Sequence, residues 1–196
     1  MTKEEARKRA DAAVGRMSEA EKEWASDAIT DALVSLEVFR KAKRPFVYLA
    51  TPREPDTEAI VGLFLAMERT VAVPRVRGGE MDAVVITPYT DFKKNKWGIS
   101  EPVKGHIAEE CDLAVVPLAA FDGLKRVGRG GGYYDRFLAR MKDCVKVGIA
   151  FSCRRAEGVE FEPHDIDMDI VITEKEIIPA RGVSVANEFE GADGGE

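Results

Sequence analysis

The chain is short of the residues from which most catalytic sites are built. Two histidines and three cysteines stand among 196 residues, and none of them falls in a CxxC pair or a nucleophile–base motif. No Ser-His-Asp or Cys-His set can therefore be assigned. Three is an odd number, so Cys111, Cys144 and Cys153 read as buried or free thiols of a reducing compartment and not as a disulfide framework. No apolar run approaches the ~20 residues that span a bilayer, and the opening MTKEEARKRA lacks the apolar stretch of a secretory leader. Cationic excess is missing too. Lys and Arg number 29 against 35 Asp and Glu, a net charge of −6, which argues against non-specific nucleic-acid binding because that rests on neutralising phosphates. The expectation is a cytoplasmic protein with no nucleic-acid or membrane partner, a monomer or weak homodimer.

What is present fits one domain over residues 1–185, with 45% hydrophobic residues for a core. Residues 186–196 are acidic and glycine-rich, a composition that predicts disorder. Ala6, Ala10, Ala13 and Val14 space an opening helix, and Lys3 and Arg7, four apart, share one of its faces. Taken bare, that pair is a solvated basic face. Ser18 and Glu21 form a capping box for a second helix, along which Trp24, Ala28, Ala32, Leu36 and Phe39 make an apolar stripe that places Trp24 in the core. PFVYLA (45–50), TVAVP (70–74), MDAVVIT (81–87), DLAVVP (112–117), VKVGIAF (145–151) and the IVIT that ends HDIDMDIVIT (164–173) read as strands. A helix from about Thr57 turns Ile60, Leu63, Phe64 and Met67 inward. Strands that are apolar throughout and alternate with helices indicate an α/β fold: three layers, α/β/α, around a mostly parallel central sheet. In such sheets ligands bind beyond the carboxyl ends of the strands. The turn at Thr51, the stretch after Thr87 and the loop after Val116 converge there.

That last loop, DGLKRVGRGGGYYDRFL, carries the most specific signal. Gly128, Gly130, Gly131 and Gly132 have no Cβ and tolerate positive φ, so consecutive backbone amides can face one point. A helix starting near Tyr133 adds its own unpaired amides and the positive end of its dipole. Arg126 and Arg129 set two forked cations beside them. The loop lacks the GK[ST] of a P-loop, and Tyr133 stands where a dinucleotide fold has a third glycine. Spacing alone therefore stops at an anion-binding loop.

RVGRGGGYYDRFL, preceded by DLAVVP and AFD, resembles the signature of the 5-formyltetrahydrofolate cyclo-ligase family. The resemblance implies an enzyme that uses ATP and Mg2+ to cyclise 5-formyltetrahydrofolate to 5,10-methenyltetrahydrofolate, releasing ADP and phosphate through phosphorylation of the formyl oxygen. It implies Arg126 and Arg129 as catalytic residues. ATP would be held by Lys3, Arg7, Arg126, Gly128, Arg129, Gly130, Gly131, Gly132, Tyr133 and Tyr134, since KEEAR fits the family's Lys-x-x-x-Arg opening. The folate would be held by Thr51, Asp56, Trp97, Glu101 and Tyr133, WGISEP being similar to the family's tryptophan-before-EP segment, and magnesium by Asp135 and Asp165. The chain departs from the family pattern at Asp56, Leu118, Gly131 and Arg154. Two other readings stand beside it: a protein of the same fold that keeps the phosphate loop without the folate activity, and an isomerase with Glu101 as its base.

Overall fold

The computed structural model describes residues 1–95, 98–183 and 185. Trp97 and the acidic tail from residue 186 lie outside them. Among the described residues eleven strands form, in chain order: β1 (Pro45–Val47), β2 (Ala72–Arg77), β3 (Glu80–Val85), β4 (Phe92–Lys94), β5 (Ser100–Pro102), β6 (Leu113–Pro117), β7 (Ala120–Asp122), β8 (Lys125–Val127), β9 (Val145–Ile149), β10 (Ile170–Ile172) and β11 (Ile177–Pro179). The helices are α1 (Lys3–Val14), α2 (Glu19–Ser35), α3 (Glu37–Lys41), α4 (Glu58–Ala66) and α5 (Tyr133–Arg140). Seven strands make the central sheet in the order β11-β10-β9-β6-β1-β2-β3. From β10 to β2 neighbouring strands run parallel, and β3 and β11 close the two edges antiparallel.

Both faces of the parallel strands are covered, which is why their sequences carry no polar alternation. In β6, Leu113 and Val115 pack on one side with Ile29 and Leu33 of α2, Phe39 of α3 and Ile60 and Phe64 of α4. Ala114 and Val116 face the other side, with Phe46 of β1 and Phe137 and Leu138 of α5. Truncating a wholly buried phenylalanine such as Phe137 costs about 3–5 kcal/mol in comparable cores. A third, smaller cluster joins Ala6 and Ala10 of α1 to Ala120 and Val127 of the β7–β8 hairpin, and so seats α1 beside the glycine loop. The capping box at Ser18 is formed as the spacing requires.

Three details differ from the sequence reading. Trp24 is 63% exposed. The buried stripe of α2 runs one residue later, through Ala25, Ile29 and Leu33, and the helix ends where Leu36 turns extended at ψ 143°, so Phe39 belongs to α3. In α4 Ile60 and Phe64 are buried but Leu63 and Met67 are not. Its sequence, EAIVGLFLA, is apolar around most of its circumference, so periodicity cannot choose a face. Finally, β2 starts at Ala72 and extends to Arg77 because it pairs along its whole length with β3. The connection uses Gly78 and Gly79, both at positive φ.

Candidate active site

Three segments leave the carboxyl ends of neighbouring parallel strands and meet: residues 48–57 after β1, the β7–β8 hairpin and glycine loop after β6, and the turn Ser152–Arg154 after β9. The first is held rigid from below. The fully buried Tyr48 donates its hydroxyl to the Pro55 carbonyl at 2.6 Å, and Thr57 Oγ1 donates to the Tyr48 carbonyl at 2.7 Å.

The glycine loop is open. Among the described residues, no backbone amide from Gly128 to Gly132 donates to a protein acceptor. Gly130 and Gly132 have φ of 97° and 65°, a region that only glycine occupies without strain. Gly132 is the N-cap of α5 and supplies no capping side chain, so the first amides of that helix also remain available to an anion.

Arginines hold the loop from both sides. A Cβ at Gly128 would lie 2.9 Å from both terminal nitrogens of Arg126. That guanidinium is itself buried, donates to Asp135 Oδ2 at 2.9 Å and lies over the ring of Tyr134. Among the described residues its Nε has no partner. Arg7 donates from Nε to the Gly128 carbonyl at 2.8 Å, which is how α1 enters the site. Arg136 donates to the carbonyls of Gly131 and Gly79. Tyr133 fits beneath the loop so closely that a Cβ at Gly131 would meet its ring at 2.7 Å. Burial pushes the Tyr134 phenol well above its usual range, and the nearby Glu54 adds to this, so the hydroxyl stays neutral.

Arg129 ties the loop to the other two segments. It donates to Asp11 at 3.0 Å and lies 3.7 Å from Glu54. Asp11 also accepts from Arg154 at 3.0 Å. Arg154 is completely buried and donates in addition to the carbonyls of Ala119 and Arg53, both at 2.6 Å. Burial opposes a charge on Asp11, but Arg129 and Arg154 outweigh it and hold the carboxyl below the ordinary carboxylate range. Glu54 in turn accepts from the amide and hydroxyl of Thr51.

The remaining predicted residues fall into two groups. Lys3 lies at the far end of the same helix face as Arg7, bound to Glu162 at 3.0 Å and to Asp165 at 2.6 Å. Burial opposes charge on Asp165, but Lys3 and the Glu162 amide keep its carboxyl low. Asp56 and Glu101 are occupied in the scaffold. Asp56 accepts from the Glu58 amide at the start of α4. Glu101 is buried and accepts from the Val76 amide at 3.0 Å and from Asn95 at 3.1 Å, which fastens the β4–β5 hairpin to β2. A carboxylate so engaged is not poised as a base. Asp11, Glu54 and Arg75 are the residues that the sequence reading passed over. Arg75 is only 6% exposed; among the described residues its side chain makes no hydrogen bond or ion pair, although Asp82 stands opposite it on β3. Its strand, β2, pairs with β1 at Phe46↔Ala72, so Arg75 lies past the carboxyl end of β1, on the side where the other segments meet. Two signals were available: Asp11 follows Arg7 by four residues on one helix face, and Glu54 lies in the two-proline turn directly after a buried strand.

For magnesium, the oxygen donors are of the right kind. Asp135 uses Oδ2 on Arg126, and Oδ1 has no protein partner among the described residues. Asp165 has both oxygens on Lys3 and reaches a metal only once Lys3 lets go. Its oxygens lie within 4.8 Å of donor atoms of Glu162 and His164.

Fold and site together define an α/β protein with an open glycine loop and flanking arginines beyond the carboxyl edge of its sheet. The sequence profile of the 5-formyltetrahydrofolate cyclo-ligase family matches residues 1–174. A 5-formyltetrahydrofolate cyclo-ligase of Haemophilus influenzae is 30% identical over 159 residues, 76% of this chain and 85% of that one. A mouse protein of the same description is 27% identical over 166 residues, 74% of this chain and 80% of that one. Among solved structures, the 5,10-methenyltetrahydrofolate synthetase of Aquifex aeolicus superposes with a TM-score of 0.81 at 32% identity, covering 96% of this chain and 98% of that one. The chain belongs to the 5-formyltetrahydrofolate cyclo-ligase family, a family of ligases. No helix among the described residues is long and apolar enough to cross a membrane.

Proposed function

We propose that this protein cyclises 5-formyltetrahydrofolate to 5,10-methenyltetrahydrofolate at the expense of ATP. The observation that carries the reading is the open run of amides from Gly128 to Gly132, flanked by Arg7, Arg126 and Arg129, at the carboxyl edge of a cyclo-ligase-family sheet. In this reading the loop amides and the α5 N-terminus hold the β- and γ-phosphates. Arg129 leaves Asp11 and Glu54 for the γ-phosphate, and Arg126 and Arg7 fix the loop against it. The formyl oxygen of the folate attacks the γ-phosphorus and ADP departs. N10 then attacks the activated formyl carbon, and inorganic phosphate leaves as the ring closes. The substrate supplies both nucleophiles, so the protein has only to position groups and neutralise charge, which is the usual economy of phosphoryl transfer.

Asp135, whose Oδ1 has no protein partner among the described residues, would hold magnesium, which would supply positive charge to offset that on the transferring group. We assign Asp165 to orienting Lys3 and reserve it as a second oxygen donor. Thr51 and Tyr133 line the folate side. Arg75, a buried cation whose Nε is unpartnered among the described residues, suits the carboxylates of the folate's glutamyl end, because a buried donor left unbonded is costly until an acceptor joins it.

The test is direct. Purified protein given 5-formyltetrahydrofolate and Mg-ATP accumulates the methenyl product, read by its absorbance, and Arg129→Ala loses roughly 10²–10³-fold in rate. Binding of ATP without product would overturn the assignment in favour of a phosphate-binding relative that has lost the folate chemistry.

A further inference from the structure

At the opposite end of the sheet lies a pair of sulfurs for which the proposed reaction has no use. Cys111 precedes β6 and Cys144 precedes β9, and these two strands are parallel neighbours in register at Leu113↔Val145. Their sulfurs are 2.8 Å apart, in contact and unbonded. Adjacent strands run about 4.8 Å apart, within the Cα separation that a disulfide spans. Both thiols are buried, but not equally. A surface cavity of about 230 Å³, lined by Arg44, Asp112, Arg140, Met141 and Lys142 among others, reaches Cys111; Cys144 does not line it. The two thiols therefore differ in role. The hydrogen bond to Cys111 and burial push the Cys144 thiol up, whereas Cys111 lines a path from solvent whose wall mixes Arg44, Arg140 and Lys142 with Glu109, Glu110, Asp112 and Asp143, so a small uncharged oxidant meets Cys111 first. The third cysteine, Cys153, is partly buried beside Met17 and belongs to neither the pair nor the cavity.

We propose that Cys111 and Cys144 form a redox-reversible disulfide that staples the amino ends of β6 and β9, with a small peroxide as the oxidant. The Cys111 thiolate attacks one peroxide oxygen, the O–O bond breaks, and Cys111 becomes a sulfenic acid while hydroxide takes up a proton as water. Cys144 then attacks the Cys111 sulfur. The S–S bond forms, the sulfenic oxygen leaves, and it departs as a second water carrying the Cys144 proton. Two thiols lose two electrons in total and one peroxide is reduced to two waters. Sulfenic acid condensing with a neighbouring thiol is the reversible rung of cysteine oxidation. The cross-link closes a loop of about thirty residues, for which chain-entropy arguments give a melting point raised by about 8–14 °C in a domain of this size.

The experiment is stoichiometric hydrogen peroxide on the folded wild-type protein, followed by intact mass, peptide mapping and a thermal melt. The expected result is a mass lower by two hydrogens, a linked Cys111–Cys144 peptide, and a melting point raised by about 8–14 °C and restored by a dithiol reductant. Cys153→Ser keeps all of this, and Cys111→Ser and Cys144→Ser each lose it. Should either serine variant misfold, wild-type mapping decides alone. Oxygen added to Cys111 without a cross-link, or thiols left intact while Cys153 oxidises, overturns the proposal.

Discussion

The same parallel strands end in two differently built places. At their amino ends most polar groups are matched within the protein, the buried Nε of Arg69 before β2 excepted. Asp112 accepts from the amides of Lys43 and Arg44, Asp169 accepts from the Lys146 amide, and the two cysteines face each other. At their carboxyl ends the loop amides are open, and among the described residues Arg75, Arg126 and Arg154 each bury an unpaired Nε. Buried polar groups are ordinarily satisfied, so this contrast separates what holds the fold from what awaits a ligand. Each prediction below changes one end and asks whether the other notices.

The largest effect is expected at the open end. Arg129→Ala should lower kcat/KM by roughly 10²–10³-fold and barely move the melting point, since its partners Asp11 and Glu54 keep Arg154 and Thr51. A collapse of stability would mean that Arg129 is a scaffold residue after all. Next, Arg75→Met should raise KM for the folate by about 10-fold or more, the worth of one charged hydrogen bond. KM for ATP should stay put, and stability should hold or rise, because an unpaired buried charge is removed. Equal loss for both substrates would strip Arg75 of its role. At the closed end, Asp112→Ala should cost about 1.5–3 kcal/mol, or about 3–12 °C in melting point, and leave kcat unchanged.

The smallest effect is one of pH. The Asp11 carboxyl is lower in the folded protein than in the unfolded chain, so its stabilising contribution is complete above the unfolded value of about 3.9 and disappears as pH falls through the folded one. Asp165, held low by Lys3, acts in the same direction. Urea melts between about pH 5 and 2 should therefore show wild type losing stability toward acid. Asp11→Asn should start lower and fall less steeply, and parallel curves would contradict the network drawn around Asp11.

How much of this could be read in the sequence also divides along the two ends. The parallel sheet was legible because strands such as β6 are apolar on both faces, and the glycine loop because its four glycines come with two arginines and a following helix in a string that resembles the family signature. Arg7 and Lys3 were legible only as a pair on a helix; that one reaches the Gly128 carbonyl and the other Asp165 follows from the small-residue packing of Ala6 and Ala10 on the hairpin, a long-range fact. Asp56 was named because the family resemblance places an acid there; that Glu54, two residues earlier, is the carboxylate near Arg129 depends on the backbone path after Tyr48. Glu101 was read as a ligand residue, but its short strand brings it onto the Val76 amide. Trp24 failed because a helix pattern displaced by one residue rotates the buried face by about 100°, and the break at Leu36 hides that offset. The cysteine pair was invisible, since residues 33 apart give no local signal.

The central claim is that the amides from Gly128 to Gly132 hold the terminal phosphates of ATP. It is tested most directly by following the backbone amide resonances of isotopically labelled protein as a non-hydrolysable Mg-ATP analogue is added. The account predicts that Gly128, Arg129, Gly130, Gly131 and Gly132 shift most, together with the first residues of α5, and that the amides of Lys43, Arg44 and Lys146 stay still. Saturable binding that leaves the five loop amides unmoved would contradict it.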